Sequence, residues 1–591
     1  MNESNNLNKN SIFKEFFKLT KPYYRPIISL SVLIIFLEAF SLVGPYILKI
    51  IIDEILIFSP DKIRYFILLI FVFFLSLLIL SVANYFKDKK IFSVILKAEY
   101  DIPIKCQKKL LELDLAYHQK EGTGEKITKI EKGVGKFVDL LITIFWELLP
   151  VSFQLISVSV ILLIIDYRLF LLLFVFSSLL FFLNIKVNKN VYPIRKQRYK
   201  RYEQASGKIV QTIVNIGTVQ SFSQQERELN ELSFLKKGIL LDETREWSYV
   251  LKFSNLREII VGLGRASFLF LGIFLIIKNQ ISIGTLVFVV TLSEQVFSSL
   301  SRAYRLYDQF AEGAEGINRL ASLLKTESSI KNKGKIRLKD KDIEGEIKFK
   351  NIDFSYDNGH KILNNFNLNI PAGAITALVG PSGGGKTTIV RLIFRHFDPV
   401  SGQILLDNYN LKDLELFSLR KLLSIVPQEV DIFNSTVAEN ISYAKRSASF
   451  REIEAAAKIA NASEFIEKLP NKYNTIVGER GMRLSGGQRQ RIGIARAVLA
   501  DPKILVFDEA TSNLDVESEK LIQEAINKIA KDKTIIIIAH RLSTIKMANK
   551  IAVIENGQVV EEGMHLQLMN KKDGLYQKLI NLQSSGEISG D

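Results

Sequence analysis

The sequence predicts a multidomain chain: an all-α region of six membrane-length helices, then an α/β domain. Three observations carry this. Six long apolar runs fall before residue 310 and none of comparable length follows. Short apolar runs after residue 345 read as strands, two of them continuous as in a parallel sheet covered on both faces. One such strand enters a triple-glycine turn that opens a helix. The chain has 591 residues, 48% of them hydrophobic, a length that allows roughly four domain-sized units.

Residues 1–25 are polar and form a lead-in to the first apolar run. The runs are Ile27–Leu56, Tyr65–Asn84, Leu140–Ile165, Leu169–Ile185, Leu256–Ile277 and Gly284–Leu300. Each approaches or passes the roughly 20 residues that a membrane helix needs. The membrane domain is assigned to 26–320, with six helices and two long loops.

The net charge is +16, and its placement decides its meaning. Lys9, Lys14, Lys18 and Lys21 crowd the start, and basic residues fill the long connections Lys87–Lys136 and Lys186–Lys252. The alternate connections, Asp53–Arg64, Asp166–Arg168 and Lys278–Gly284, are short and poor in them. This is the positive-inside asymmetry, which puts the N-terminus and both long loops in the cytoplasm. The charge therefore reads as orientation and contact with anionic membrane lipid, not as a nucleic-acid surface. Cys106 is the only cysteine, which excludes an intrachain disulfide and a cysteine-based metal site. The N-terminus shows no cleavable signal pattern.

The long loops are rich in Lys, Glu, Gln and Leu over Leu96–Leu115 and Gln197–Leu235. They read as helical extensions of the membrane helices, with turns at the tips His118–Glu125 and Gly217–Gln225. Ionisable residues also fall within the apolar runs: Glu38, Glu147, Arg265 and Glu294. Such groups face a cavity or each other. Two readings stay open: a cavity whose carboxylates tolerate amphipathic cations, or a structural role, with Arg265 paired with a glutamate or the groups lying at the wet cytoplasmic ends.

A polar linker is assigned to 321–345, the α/β domain to 346–583 and a tail to 584–591. Ile347–Phe354 alternates like an edge strand, Ile375–Val379 is a short apolar run entering the glycine-rich loop, and Ile504–Phe507 and Ile535–Ile538 are continuous buried strands.

After Ile375–Val379 comes Gly380-Pro381-Ser382-Gly383-Gly384-Gly385-Lys386-Thr387-Thr388, which fits the phosphate-binding pattern G-x-x-x-x-G-K-[ST]. Such a loop closes backbone N–H groups around an oxyanion; its lysine reaches the outer phosphates and its hydroxyl ligates Mg²⁺. The turn Ser485-Gly486-Gly487-Gln488 opens a second helix with free N–H groups. Two phosphate-binding turns of different design point to a nucleotide gripped from both sides.

Asp508 and Glu509 end an apolar strand. Asp508 fits the Mg²⁺-organising aspartate of phosphate-loop NTPases and Glu509 a general base for water aligned with the γ-phosphate; a carboxylate pair capping the next helix would look the same in isolation. Gln428 follows another short strand, where its side-chain oxygen can reach Mg²⁺ or water; a solvated loop glutamine fits equally. His540 ends the Ile-rich strand and can donate to a γ-phosphate, or be structural. Tyr356 lies upstream of the loop, where a flat ring can stack on adenine.

Residues 346–583 resemble the nucleotide-binding domain of ATP-binding cassette (ABC) transporters, and the whole chain resembles an exporter-type half-transporter. The resemblance rests on the phosphate loop, Gln428, Leu484–Arg491 (LSGGQRQR), Ile504–Ser512 (ILVFDEATS), Ser512–Asp515, His540–Ser543 and Thr475–Gly481 (TIVGERG), all in family order. It implies a six-helix exporter-type membrane domain and an α/β P-loop ATPase. It implies Tyr356 on adenine, residues 380–388 on the phosphates, Thr387, Gln428 and Asp508 at Mg²⁺, and Glu509, His540 and Lys386 in catalysis. Ser485, Gly486, Gly487, Gln488 and Asp515 would reach the ATP of a partner subunit, and the two loop tips would act as coupling helices.

Two departures stand out: Gly384 where serine is commoner, and Asn513 where alanine is usual. With Glu509 and the LSGGQ turn intact, the resemblance favours a homodimer with two active sites. The expected function is ATP-driven export or flipping of a lipid, drug or other amphipathic molecule, in the plasma (inner) membrane with the ATP-binding domain cytoplasmic. The alternatives are an importer on the same scaffold, for example for a metal chelate, and a non-transport ABC ATPase.

Overall fold

The computed structural model describes residues 9–584 apart from 58, 303, 333, 357–358, 509–515, 531–532 and 540. The chain forms two compact units, one of residues 1–111 and 122–326, the other of 112–121 and 327–591.

The first unit is helical. It contains α1 (Lys9–Thr20), α2 (Tyr24–Ser41), α3 (Val43–Ile55) and α4 (Ile63–Glu112). The short α5 (Leu115–Lys120) groups with the second unit. Then follow α6 (Thr123–Thr143), a π-helical turn (Ile144–Leu148), α7 (Leu149–Ile165), α8 (Tyr167–Val214), α9 (Ile216–Ser221), α10 (Gln225–Ile277), α11 (Ile283–Arg302) and α12 (Tyr304–Lys325). Six stretches among the described residues are long and apolar enough to cross a membrane, and each predicted run lies on one of them. The 50 residues of α4 span about 75 Å at 1.5 Å per residue, more than twice the ~30 Å hydrocarbon core. The helix therefore continues as a polar stalk.

The stalks of α8 and α10 are laced together by charge. Arg195 and Arg198 both reach Glu246 (2.5 and 2.6 Å), Arg201 reaches Asp242 (2.9 Å), and Lys208 reaches Glu228 (2.8 Å) and Glu231 (2.5 Å). Glu246 and Asp242 are buried, so each needs these partners to offset desolvation. In the apolar zone a cluster including Leu169, Leu173, Phe268, Leu275, Val289 and Phe297 joins α7, α8, α10 and α11. A Cβ at Gly264 would lie 2.8 Å from the Phe297 ring, so glycine sets that close approach. Asp53, near the end of α3, accepts from Ser282 Oγ (2.7 Å) and the Gly284 backbone N–H (2.8 Å), capping the start of α11.

The second unit holds two sheets. Its strands are β1 (Ile347–Ser355), β2 (Lys361–Ile370), β3 (Ile375–Val379), β4 (Ser401–Leu406), β5 (Tyr409–Asn410), β6 (Leu423–Val426), β7 (Ile504–Asp508), β8 (Thr534–Ile538), β9 (Lys550–Glu555) and β10 (Gln558–Gly563). The larger sheet runs β10-β9-β3-β8-β7-β6, parallel except for β10. The strands β3 and β8 are buried at every residue, as expected of a parallel sheet covered on both faces. The smaller sheet is antiparallel, β2-β1-β4-β5. Here one expectation fails: β1 is an inner strand, paired on both sides. Its alternation comes from having one buried face, not from lying at an edge.

The first loop tip also differs from the prediction. The helical turn covers 115–120 rather than starting at His118, because Asp114 caps it, accepting from the Tyr117 N–H at 2.9 Å. The same carboxylate accepts from Ser329 N (2.5 Å), Ser329 Oγ (2.6 Å) and Ser328 Oγ (3.2 Å). These contacts tie α5 to the linker.

Candidate functional site

The site is built at the C-terminal ends of the parallel strands, where ligands of open α/β sheets bind. The register carries Leu378 of β3, Ile538 of β8 and Asp508 of β7 into one row across three neighbouring strands. On the far side of β7, Val426 of β6 pairs with Phe507, so the segment leading to Gln428 leaves the sheet beside Asp508.

The loop leaving β3 is shaped by glycines that cannot be replaced freely. Gly380, Gly383 and Gly385 have φ of +151°, +78° and +104°. A Cβ at Gly380 would lie 2.0 Å from the Ile554 carbonyl oxygen. At Gly384 it would lie 3.1 Å from both the Ile554 and Pro381 carbonyl oxygens, so the departure from serine here relieves crowding. Helix α13 (Lys386–Ile393) begins directly after the loop. The Lys386 ammonium curls back to the carbonyls of Gly380 (2.8 Å) and Pro381 (2.9 Å), within its own loop. Pro381, Ser382, Gly383 and Thr387 are exposed, whereas Thr388 is buried, so the two threonines differ: Thr387 can meet a ligand and Thr388 braces the fold.

Tyr356 is held by that brace. Its hydroxyl lies 3.2 Å from Thr388 Oγ1 and accepts from Arg391 Nη1 at 3.1 Å. Its ring packs edge-on to Phe354 (4.9 Å) and Phe397 (5.1 Å). Gln428 is exposed and Asp508 half-buried. Glu509, Asp515 and His540 lie outside the described residues. His540's neighbour Arg541 pairs with Glu519, which also accepts from Ser543 Oγ at 2.5 Å.

The second turn opens the helix Gly486–Ala500. Ser485 Oγ accepts from Gln488 N (3.3 Å) while Gln488 Oε1 accepts from Ser485 N (2.9 Å). This reciprocal cap fixes the helix start. Ser485 and Gly486 are exposed, Gln488 half-buried and Gly487 buried. Gln490 of the same helix, to which sequence reasoning gave no role, is buried and donates to the Pro427 carbonyl at 3.1 Å. Its place in the LSGGQRQR run was visible in the sequence; its partner, 63 residues away, was not.

Within the membrane-length helices the structure separates the four ionisable residues. Arg265 pairs with Glu294 at 2.5 Å, which is the pairing alternative and removes Glu294 from the unpaired carboxylates. Glu38 and Glu147 instead line a cavity of about 520 Å³.

Six membrane-length stretches joined to a phosphate-loop sheet define a nucleotide-driven membrane protein. The chain belongs to the ABC transporter family: residues 27–300 match the family model for the ABC transporter transmembrane region and 363–512 the model described as ABC transporter. It is similar to the ATP-dependent lipid A-core flippase of Desulfotalea psychrophila, 33% identical over 87% of this chain and 91% of the relative. It is also 32% identical, over 97% of this chain and 99% of the relative, to the ATP-binding/permease protein YgaD of Bacillus subtilis, provisionally named for multidrug export. A mitochondrial potassium channel ATP-binding subunit of Rattus norvegicus is 34% identical over 80% of this chain, which spans about two thirds (67%) of that relative. Among solved structures, a bacterial Atm1-family ABC exporter with ATP bound superposes with a TM-score of 0.84 at 28% identity, covering 95% of this chain and 99% of that one. The chain is thus an exporter-type half-transporter, an ATP-hydrolysing, multi-pass membrane protein.

Proposed function

We propose that two copies of this chain pair head to tail, each ATP lying between the phosphate loop of one and the Ser485–Gln488 turn of the other, and that this closure drives export of an amphipathic substrate, lipid or drug, across the plasma (inner) membrane. The observation that carries the reading is the exposed, capped Ser485 turn on a chain whose own phosphate loop is already folded around Lys386. Helix-start N–H groups favour an anion, and a partner's triphosphate meets that need.

Within one site, residues 380–388 bind the phosphates and Tyr356 borders the base. Asp508, Gln428 and Thr387 offer a carboxylate, an amide oxygen and a hydroxyl, an all-oxygen set that suits Mg²⁺. No group of three or more His, Cys, Asp or Glu that could hold a metal occurs among the described residues, so these donors suit a cation that also takes ligands from substrate phosphates. That cation would screen the charge on the outer phosphates. Glu509 takes the proton of the attacking water, His540 contacts the γ-phosphate, and Asp515 with Ser485 completes the site from across the dimer. Shifting a two-state equilibrium from 1:99 to 99:1 takes about 5.5 kcal/mol of differential binding, a size that several charge-assisted contacts supply.

The test is ATP-dependent movement of a fluorescent lipid or dye in inside-out vesicles. Accumulation in the lumen supports export. ATP-dependent loss from preloaded vesicles supports the importer alternative and overturns this direction.

A further inference from the structure

The cavity beside Glu147 has features that bundle packing alone does not require. Pro150 lies two residues into α7. It has no N–H to offer the Trp146 carbonyl, and its ring excludes that carbonyl from the usual position. The helix responds with the π-helical turn Ile144–Leu148, closed by Leu149 N–H to the Ile144 carbonyl. Single π turns inside long helices recur at functional sites. This one carries Trp146 and Glu147 into the cavity wall.

The wall is polar on several helices. Glu38 comes from α2, Lys87 from α4, Gln154 from α7 and Gln295 from α11. The amides are already linked: Gln154 Oε1 accepts from Ser299 Oγ at 2.6 Å and Gln154 Nε2 lies 3.5 Å from Gln295 Oε1. Lys87 donates to Asn84 Oδ1 at 2.9 Å and sits 3.7 Å from Asp88, which itself accepts from the Trp146 indole at 3.0 Å. The lysine charge is therefore divided between Asp88 and the cavity, where it also acts on Glu38. Glu147 Oε2 is buried and has no hydrogen-bond partner among the described residues. A buried carboxylate oxygen left so costs free energy unless a cation or donor meets it. At 1.5 Å per residue, Glu38 lies about 25 Å from Ile55 across the break between α2 and α3, and Glu147 about as far from Ile165 through the π turn and α7. That places the cavity near the cytoplasmic face of the ~30 Å core.

We infer that this cavity is a substrate subsite for a protonated amine, with Glu147 as the anchoring carboxylate and Glu38 as its second. The volume suits a small organic ligand. Among the described lining residues two carboxylates, Glu38 and Glu147, face one lysine, a balance that favours a cation, and the amides and hydroxyls select one with N–H donors over a purely apolar cation or a lipid tail. This assignment rests on the exporter reading above.

The chain has two tryptophans, and only Trp146 lines the cavity. Trp247→Phe therefore leaves a single reporter in the subsite, readable without ATP. Full-length Trp247→Phe protein in nanodiscs is titrated with spermidine and with phenylethylamine, then with their N-acetylated forms, and basal ATPase is recorded on the same preparation. The expected result is a saturable change in Trp146 emission with an amine, none with the acetylated forms, and at least roughly tenfold weaker binding in Glu147→Gln, in line with loss of a charge-assisted contact. The acetylated forms test the charge on the unaltered cavity, whether or not Glu147→Gln folds. The inference is overturned if neither amine gives a saturable response, if the acetylated forms bind as well, or if folded Glu147→Gln binds like its parent. Absent basal ATPase would instead count against the exporter reading itself.

Discussion

Gln490 reaches from the helix behind the LSGGQ turn to the carbonyl of Pro427, the residue before Gln428, at 3.1 Å. The contact joins the turn proposed to face a partner's ATP to the loop proposed to sense this chain's own Mg²⁺. Gln490→Leu leaves the Pro427 carbonyl without this donor, at a cost of about 1–3 kcal/mol. The expected outcome is a several-fold fall in ATPase kcat with ATP affinity nearly unchanged, measured by steady-state turnover beside nucleotide binding. An equal fall in both would show that Gln490 only supports the fold.

Asp114 caps α5 and accepts three hydrogen bonds from Ser328 and Ser329. Burial alone would raise its carboxyl, but the bonds from Ser329, Tyr117 and Ser328 outweigh that and hold it below the usual carboxylate range. Asp114→Ala removes the cap and the tie to the linker together, costing about 1 kcal/mol for the cap. Substrate-stimulated ATPase is expected to fall while ATP binding persists. Unchanged stimulation would remove α5 and its tie from the coupling path.

His396 supplies a pH dependence whose sign can be stated. Burial pushes its imidazole down to about 4, helped by the nearby Arg420 and Arg391. The unfolded chain therefore binds a proton below the ordinary histidine value near 6.5 while the folded one does not, until about pH 4. Stability from this group is full above the upper value and is lost as pH falls through the window, by about 3 kcal/mol at most. Melting at pH 7.5 and 5.5 should show a larger drop for the parent than for His396→Gln; parallel curves would contradict it.

Glu509→Gln should keep ATP binding and trap the closed dimer, because the amide preserves shape but cannot take the proton. Turnover is expected to fall by roughly 10²–10⁴, with ATP retained after gel filtration. Near-normal turnover would remove Glu509 from the base role.

Much of this was legible in the sequence because its signals are local. The phosphate loop needs its glycines at fixed spacing, and Gly380 and Gly385 indeed adopt positive φ. The apolar runs needed only length and composition. What escaped detection was long-range. The inner position of β1 depends on β4, some fifty residues away. The choice of Glu294 over Glu38 or Glu147 as partner of Arg265 depends on how α10 meets α11. The π turn was hidden because Pro150 alone does not say whether a helix kinks or widens.

The most direct test of the account mixes two inactive chains. Lys386→Ala disables a phosphate loop and Ser485→Arg blocks a partner-facing turn. Co-assembled, they place both lesions at one composite site and leave the other intact. The account predicts that the mixture traps nucleotide with vanadate when neither parent does. If it traps no more than either parent, ATP is not shared between two chains and the proposed dimer mechanism is wrong.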